Sequence, residues 1–179
     1  MPLASRRIAY FSAFAALWVA SAACAQDTDG AFKPYPMPAM AYLDESGKNT
    51  PVPASYWKPF ALTAVHFWAT WCAPCVEELP AVDAAQTRYK DRGLNILAIS
   101  LDGNNTAKVQ RFFAEHGIKN LAPYLDGQPS GFFGTKSNGL PITFFVDSEG
   151  NIIARAEGPM DWEHSATIGF LNQHLKPAR

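Results

Sequence analysis

The feature that most constrains this chain is the junction at Cys72-Ala73-Pro74-Cys75, where an apolar, β-rich run from Ala61 to Trp68 passes directly into a helical pattern. So uniform an apolar run predicts a central strand buried on both faces. Beyond it, Pro74 suits a first helical position, and Val76, Leu79, Val82, Ala85 and Tyr89 recur at three- and four-residue spacing until Gly93. Pro80 should kink this helix rather than end it, because the periodicity resumes after it. At such a helix start the first sulfur sits near unsatisfied backbone N–H groups and the positive end of the helix dipole, which favours its thiolate. The second sulfur lies one turn deeper, close enough to attack a mixed disulfide formed on the first. Cys72 is therefore expected to attack and Cys75 to resolve.

The pattern continues with alternation. Asn95 to Leu101 reads as a second buried strand and Thr106 to His116 as a second helix stopped by Gly117, so strand and helix alternate as in a parallel, right-handed crossover unit. Ile142 to Val146 and Ile152 to Ala156, joined by Asp147-Ser148-Glu149-Gly150-Asn151, read as an antiparallel hairpin. Asp161 to Leu175 reads as a final amphipathic helix carrying Trp162, Ile168, Phe170, Leu171 and Leu175. The stretch from Leu125 to Leu140 is a glycine-rich loop that delivers the chain to Pro141. Upstream, six prolines between Pro34 and Pro59 exclude a long helix. There Ala39 to Leu43 and Thr50 to Val52 flank a polar loop, which predicts a hairpin added to the main sheet.

The amino-terminal end differs from the rest. Arg6 and Arg7 precede an apolar run of 16 residues, Ile8 to Ala23, that ends at Ala23-Cys24-Ala25. That run is shorter than the roughly 20 residues a membrane span needs, and the pattern is that of a signal peptide cleaved before Gln26. Residues 1–25 are thus read as a leader and 26–38 as a Pro-rich segment ahead of a domain at 39–179. Two other readings are an uncleaved anchor and a lipoprotein cut before Cys24, although Ser21 stands where that signal usually has a Leu-like residue. Cleavage after Ala25 would remove two Arg and shift the formal charge from −1 to −3. It would also leave Cys72 and Cys75 as the only thiols, so their sole intramolecular partners would be each other. A nearly neutral balance without a basic stretch gives no footing for nucleic acid.

A structural staple would close a loop of only a few residues and stabilise little through chain entropy. A zinc site needs four ligands, and His66, His116, His164 and His174 have no paired spacing, so no metal is expected.

The stretch Phe67-Trp68-Ala69-Thr70-Trp71-Cys72-Ala73-Pro74-Cys75, with Glu78-Leu79-Pro80 after it and Gly139-Leu140-Pro141-Ile142-Thr143-Phe144-Phe145-Val146-Asp147 later, resembles the TlpA/ResA-like thiol-disulfide oxidoreductases. Two separated motifs in the right order make the likeness specific, and Glu157-Gly158-Pro159-Met160-Asp161-Trp162 is similar to the TlpA branch. The resemblance implies an α/β thioredoxin fold, a central mixed sheet flanked by helices, with an extra amino-terminal β-hairpin and a helical insertion. It also implies a periplasmic location and no cofactor beyond the redox-active Cys72–Cys75 disulfide. Members reduce apocytochrome c or copper-centre assembly proteins and are recharged by a membrane thiol-disulfide electron transporter.

Glu78 lies three residues after Cys75, on the same helical face, where a half-buried carboxyl has a raised pKa and can exchange a proton with the resolving thiol. The family marks this position as its active-site glutamate. Neighbouring Glu77 fits a solvated helix position. Pro141 begins a strand, where a proline withholds a ladder bond. In the resembled fold it is cis, stands against the Cys pair, and with Leu140 offers backbone to an extended partner peptide. His66 stands where thioredoxins carry an aspartate and many relatives of this branch an asparagine. It is read either as a proton shuttle or, preferably, as a packed histidine bonded to the backbone. Trp71 is expected to cover one side of the reactive sulfur and Trp68 to pack beneath, while the Ala73-Pro74 dipeptide tunes the potential in the family.

These features point to a reductase of envelope protein disulfides. The alternatives are a dithiol oxidase or isomerase of the same fold and a Cu(I) metallochaperone using the two thiolates. A peroxidase would need a single attacking Cys beside Thr and Arg.

Overall fold

The computed structural model describes residues 32–126, 130–137 and 139–177. The expected leader at 1–25 lies outside the described residues, and no helix among those described is long and apolar enough to cross a membrane.

One eight-stranded mixed sheet organises the chain. Its strands are β1 (Tyr35–Pro36), β2 (Ala41–Leu43), β3 (Asn49–Pro51), β4 (Leu62–Trp68), β5 (Leu94–Ser100), β6 (Tyr124–Leu125), β7 (Ile142–Asp147) and β8 (Asn151–Glu157), in the order β1-β8-β7-β4-β5-β6-β2-β3. The helices are α1 (Ala73–Tyr89), α2 (Thr106–His116), α3 (Ser130–Gly134) and α4 (Ser165–His174). Every residue of β4 is buried, as its unbroken apolar run requires. It pairs parallel with β5 and antiparallel with β7, so that His66 lies between Ala98 and Thr143. Between α1 and β5 the chain turns at Gly93, whose φ of +91° and 2.9 Å gap between a built Cβ and Ala61 Cβ admit only glycine.

Side chains alternate along β4 into two cores. Leu62, Ala64 and Trp68 meet α1, α2 and α4 through Leu79, Val82, Val109, Phe113 and Leu171. Val65 and Phe67 face the other way, onto Met40, Tyr42, Trp57 and Phe132. No long helix covers that second face among the described residues; the Pro-rich segment and the five-residue α3 do.

Two consecutive parallel steps, β4 to β5 and β5 to β6, run in the same direction across the sheet. Right-handed crossovers then put α1 and α2 on one face. The expected helical insertion is therefore α2 with β6. Without them the chain would read β4-α1-β5-α3-β7-β8-α4, with α3 on the opposite face.

The expected hairpin is β2–β3, joined to the sheet through β6. The structure also departs from expectation. Tyr35–Pro36 in the Pro-rich segment pairs with β8 at the far edge, so the folded unit starts ahead of residue 39. The stretch Leu125–Leu140 is not all loop, since it ends β6 and holds α3. The final helix begins at Ser165, not Asp161. Asp161 Oδ1 accepts the Glu163 amide in a local turn, and His164 caps the helix through Nδ1 to Ala166 N, so Trp162 belongs to the turn.

Candidate active site

Cys72 is the N-cap of α1 in extended backbone (φ −93°, ψ 100°), and Pro74 stands in the first turn. The missing N–H of Pro74 falls where a helix has no acceptor for it. Cys72 and Cys75 form a disulfide with Cα atoms 5.3 Å apart. Cys75 is fully buried, while Cys72 is 7% exposed and borders a cavity of about 640 Å³. Cys72 is thus the more accessible of the two.

The cavity wall brings together Trp71, Cys72 and Pro74 from the α1 start, Leu101 and Gly103 after β5, Phe132 and Phe133 on α3, and Leu140 before β7, with the Asp126 carboxyl among them. Trp71 is 66% exposed next to Cys72 in the cavity wall, while Trp68 is wholly buried and stacked on Phe113. The Leu140–Pro141 peptide is cis. Pro141 O accepts the Gly158 amide, which fixes the β7 start against the β8 end.

Glu78 is on the buried face of α1. Its Oε1 accepts the Trp162 indole N–H at 2.7 Å, and among the described residues its Oε2 has no hydrogen-bond partner. Burial pushes the carboxyl up to about 7, against the opposing pull of the Trp162 indole and the Met160 amide. Glu77 is exposed, in keeping with a solvated position.

His66 faces the same side of the sheet as α1. Its Nδ1 is hydrogen-bonded to Thr143 Oγ1 at 2.9 Å, and among the described residues Nε2 has no partner. The histidine is packed, but its bond goes to a side chain and not to the backbone. Both neighbouring strands use their backbone groups in the ladder, which leaves the Thr143 hydroxyl as the available partner. Desolvation lowers its pKa to about 4, so the ring is neutral at ordinary pH.

Sequence reasoning missed two groups. Trp162 is 84 residues from Glu78 and was assigned to a helix it does not join. Asp102, at the C-terminal end of β5, accepts from Thr70 N (2.8 Å), Thr70 Oγ1 (2.6 Å), Ser100 Oγ (2.5 Å) and Lys108 Nζ (2.6 Å). Burial raises its carboxyl pKa, but the bonds from Lys108, Ser100 and Thr70 outweigh that and hold it below the ordinary value. The only signal for Asp102 was its place just beyond a parallel strand, the end where α/β folds gather functional groups.

Comparison with known proteins places this geometry in context. The model of the Redoxin family matches residues 35–169. Thiol-disulfide oxidoreductase ResA of Bacillus thuringiensis (strain Al Hakam) is 33% identical over 95 residues, 52% of this chain and 53% of the relative. The chain thus spans about half the length of the curated relatives it matches. Among solved structures, a thiol:disulfide interchange protein from Bacteroides sp. superposes with a TM-score of 0.65 at 20% identity, covering 82% of this chain and 92% of that one. The exposed lipoprotein thioredoxin of Streptococcus pneumoniae strain TIGR4 gives a TM-score of 0.62 at 22% identity, covering 75% and 98%. At these identities the likeness carries the fold, which is the thioredoxin fold.

Proposed function

The chain belongs to the Redoxin family as a TlpA/ResA-like member of the thioredoxin superfamily, and on that premise we propose that it is a periplasmic thiol-disulfide oxidoreductase that reduces disulfides of envelope proteins. One observation carries the reading. The Cys72–Cys75 disulfide is built so that one sulfur borders an apolar cavity while the other is sealed beneath the helix.

In the reduced protein, the Cys72 thiolate attacks a client disulfide. A new S–S bond forms to Cys72, the client bond breaks, and one client sulfur leaves as a thiolate that takes a proton from solvent. Cys75 then gives its proton to the Glu78 carboxylate and attacks the Cys72 sulfur. The mixed disulfide breaks, the second client sulfur leaves, and Cys72–Cys75 closes. Two electrons have passed to the client, and a donor dithiol must return them. A membrane thiol-disulfide electron transporter is the donor we propose. The clients we propose are proteins of cytochrome c or copper-centre maturation. The raised Glu78 pKa supports the proton step, since a group that titrates near neutrality can both accept and release.

Equilibration of the full chain with thiol-disulfide buffers tests the direction of flow. A potential well on the reducing side, below about −200 mV, is expected; a value near about −120 mV, typical of dithiol oxidases, would overturn the reductase reading.

A further inference from the structure

The turn Ala69-Thr70-Trp71 carries Cys72 from β4 into α1, and what fixes it comes from outside that connection. Cys72 N donates to Ala69 O at 3.2 Å, and Leu101 N donates to Trp68 O at 2.8 Å, so the end of β4 is tied to the chain after β5. Between those two bonds sits Asp102, whose side chain has no exposed surface. It takes both the backbone N–H and the hydroxyl of Thr70, two residues before the attacking sulfur. Its neighbours Leu101 and Gly103 form one wall of the cavity and Trp71, Cys72 and Pro74 another. The carboxylate therefore clamps the two walls together.

A buried carboxylate bonded to Thr70, two residues before Cys72, has an electrostatic consequence for that sulfur once it is reduced. Its negative charge opposes ionisation of Cys72 unless a cation offsets it. The cation is Lys108, whose Nζ lies 2.6 Å from Oδ1. Lys108 is in the first turn of the inserted helix α2, and the Asn105 cap accepts its own backbone N–H. The insertion is thus the element that delivers the positive charge.

We propose that Asp102 is a positioning residue for Cys72, and that Lys108, supplied by the insertion, is the counter-charge that keeps the clamp from suppressing the thiolate. The inference rests on the redox reading of Cys72. A charge-assisted bond of this kind, on a carboxylate with no exposed side-chain surface, is stronger than a neutral one.

The test is the pH dependence of Cys72 alkylation by iodoacetamide in the reduced full chain, read by peptide mass spectrometry so that Cys75 is counted separately. The other titratable groups around the site, Asp126 in the cavity, Glu78 on α1 and His66 on β4, are the same in every variant. Lys108→Met should raise the Cys72 midpoint by about half a unit or more, roughly a threefold change in the thiolate equilibrium. Lys108→Arg should keep the midpoint where it is, and the double variant Lys108→Met with Asp102→Asn should bring it back. Lys108 is half exposed and its replacement leaves the core intact, so the single variant decides the matter even if the double one fails to fold. A folded Lys108→Met protein with an unshifted midpoint would overturn the inference, whatever its melting temperature. A wild-type Cys72 that titrates like a free thiol, near about 8.5, would instead sink the functional reading itself.

Discussion

The indole N–H of Trp162 and Oε1 of Glu78 meet at 2.7 Å inside the fold, with Glu78 only 7% exposed and Trp162 2%. This bond joins α1 to the turn before α4. The carboxyl is held at the edge of ionisation by burial on one side and by the indole and the Met160 amide on the other.

Replacing Glu78 by Gln keeps the acceptor for Trp162 and removes the proton exchange. Release of the second client sulfur should slow by about a hundredfold, the usual scale of a lost acid-base group. Initial capture of a client disulfide by Cys72 should change little. Stopped-flow measurement of the two phases separates them.

Trp162→Phe removes the donor that favours the charged carboxylate. The Glu78 titration should move to higher pH, and the pH-rate profile of the resolving step should follow it upward. The unpaired buried oxygen should also cost about 1–3 kcal/mol, measurable by urea unfolding.

Glu78 and His66 should impose opposite slopes on stability. Between the ordinary carboxyl value of 4.5 and about 7, the folded protein keeps a proton on Glu78 that the unfolded chain has lost, so stability falls as pH rises. Between about 4 and the ordinary histidine value of 6.5, the unfolded chain binds a proton on His66 that the folded protein refuses, so stability rises with pH. Each shift corresponds to on the order of 3 kcal/mol, and across the shared window the two offset. Glu78→Gln should unmask a loss of stability towards acid, and His66→Leu a loss towards neutral pH. Denaturant titrations at pH 4.5, 5.5 and 6.5 check both signs.

Gly150→Ala tests how the Pro-rich segment is held. Gly150 has a φ of +88°, and a Cβ there would lie 2.8 Å from Trp57 Cδ1. The left-handed backbone alone costs about 1–2 kcal/mol for a non-glycine residue. Since Gly150 O also accepts the Met37 amide, displacement of Trp57 should loosen residues 32–60 first. Hydrogen exchange in that segment should rise more than in β4.

The parts of this protein that were legible in the sequence are those decided locally. β4, α1 and the Cys pair follow from an apolar run, a helical period and Pro74, all within about 30 residues. α2 was legible to its last residue because Asn105 and Gly117 cap it at both ends. β1 and β6 were not, because two residues show no period and exist only through distant partners in β8 and in β5 and β2. Trp162 reads as the start of a final amphipathic helix, yet its indole is held by Glu78 and it sits in the turn that Asp161 makes with Glu163. Glu78 could be placed relative to Cys75 by counting along a helix. Its indole partner could not, and neither could the meeting of Thr70, Asp102 and Lys108, in which each residue is unremarkable alone.

The amino-terminal segment ends the sheet on both sides, with the two-residue β1 beside β8 and the three-residue β3 outermost beyond β2. Short outer strands carrying Pro36 and Pro51 offer few free backbone groups to a passing chain. Blunting both edges leaves the sheet little backbone for pairing with a second copy of the chain, so the same segment that covers the second core also guards the sheet against self-association.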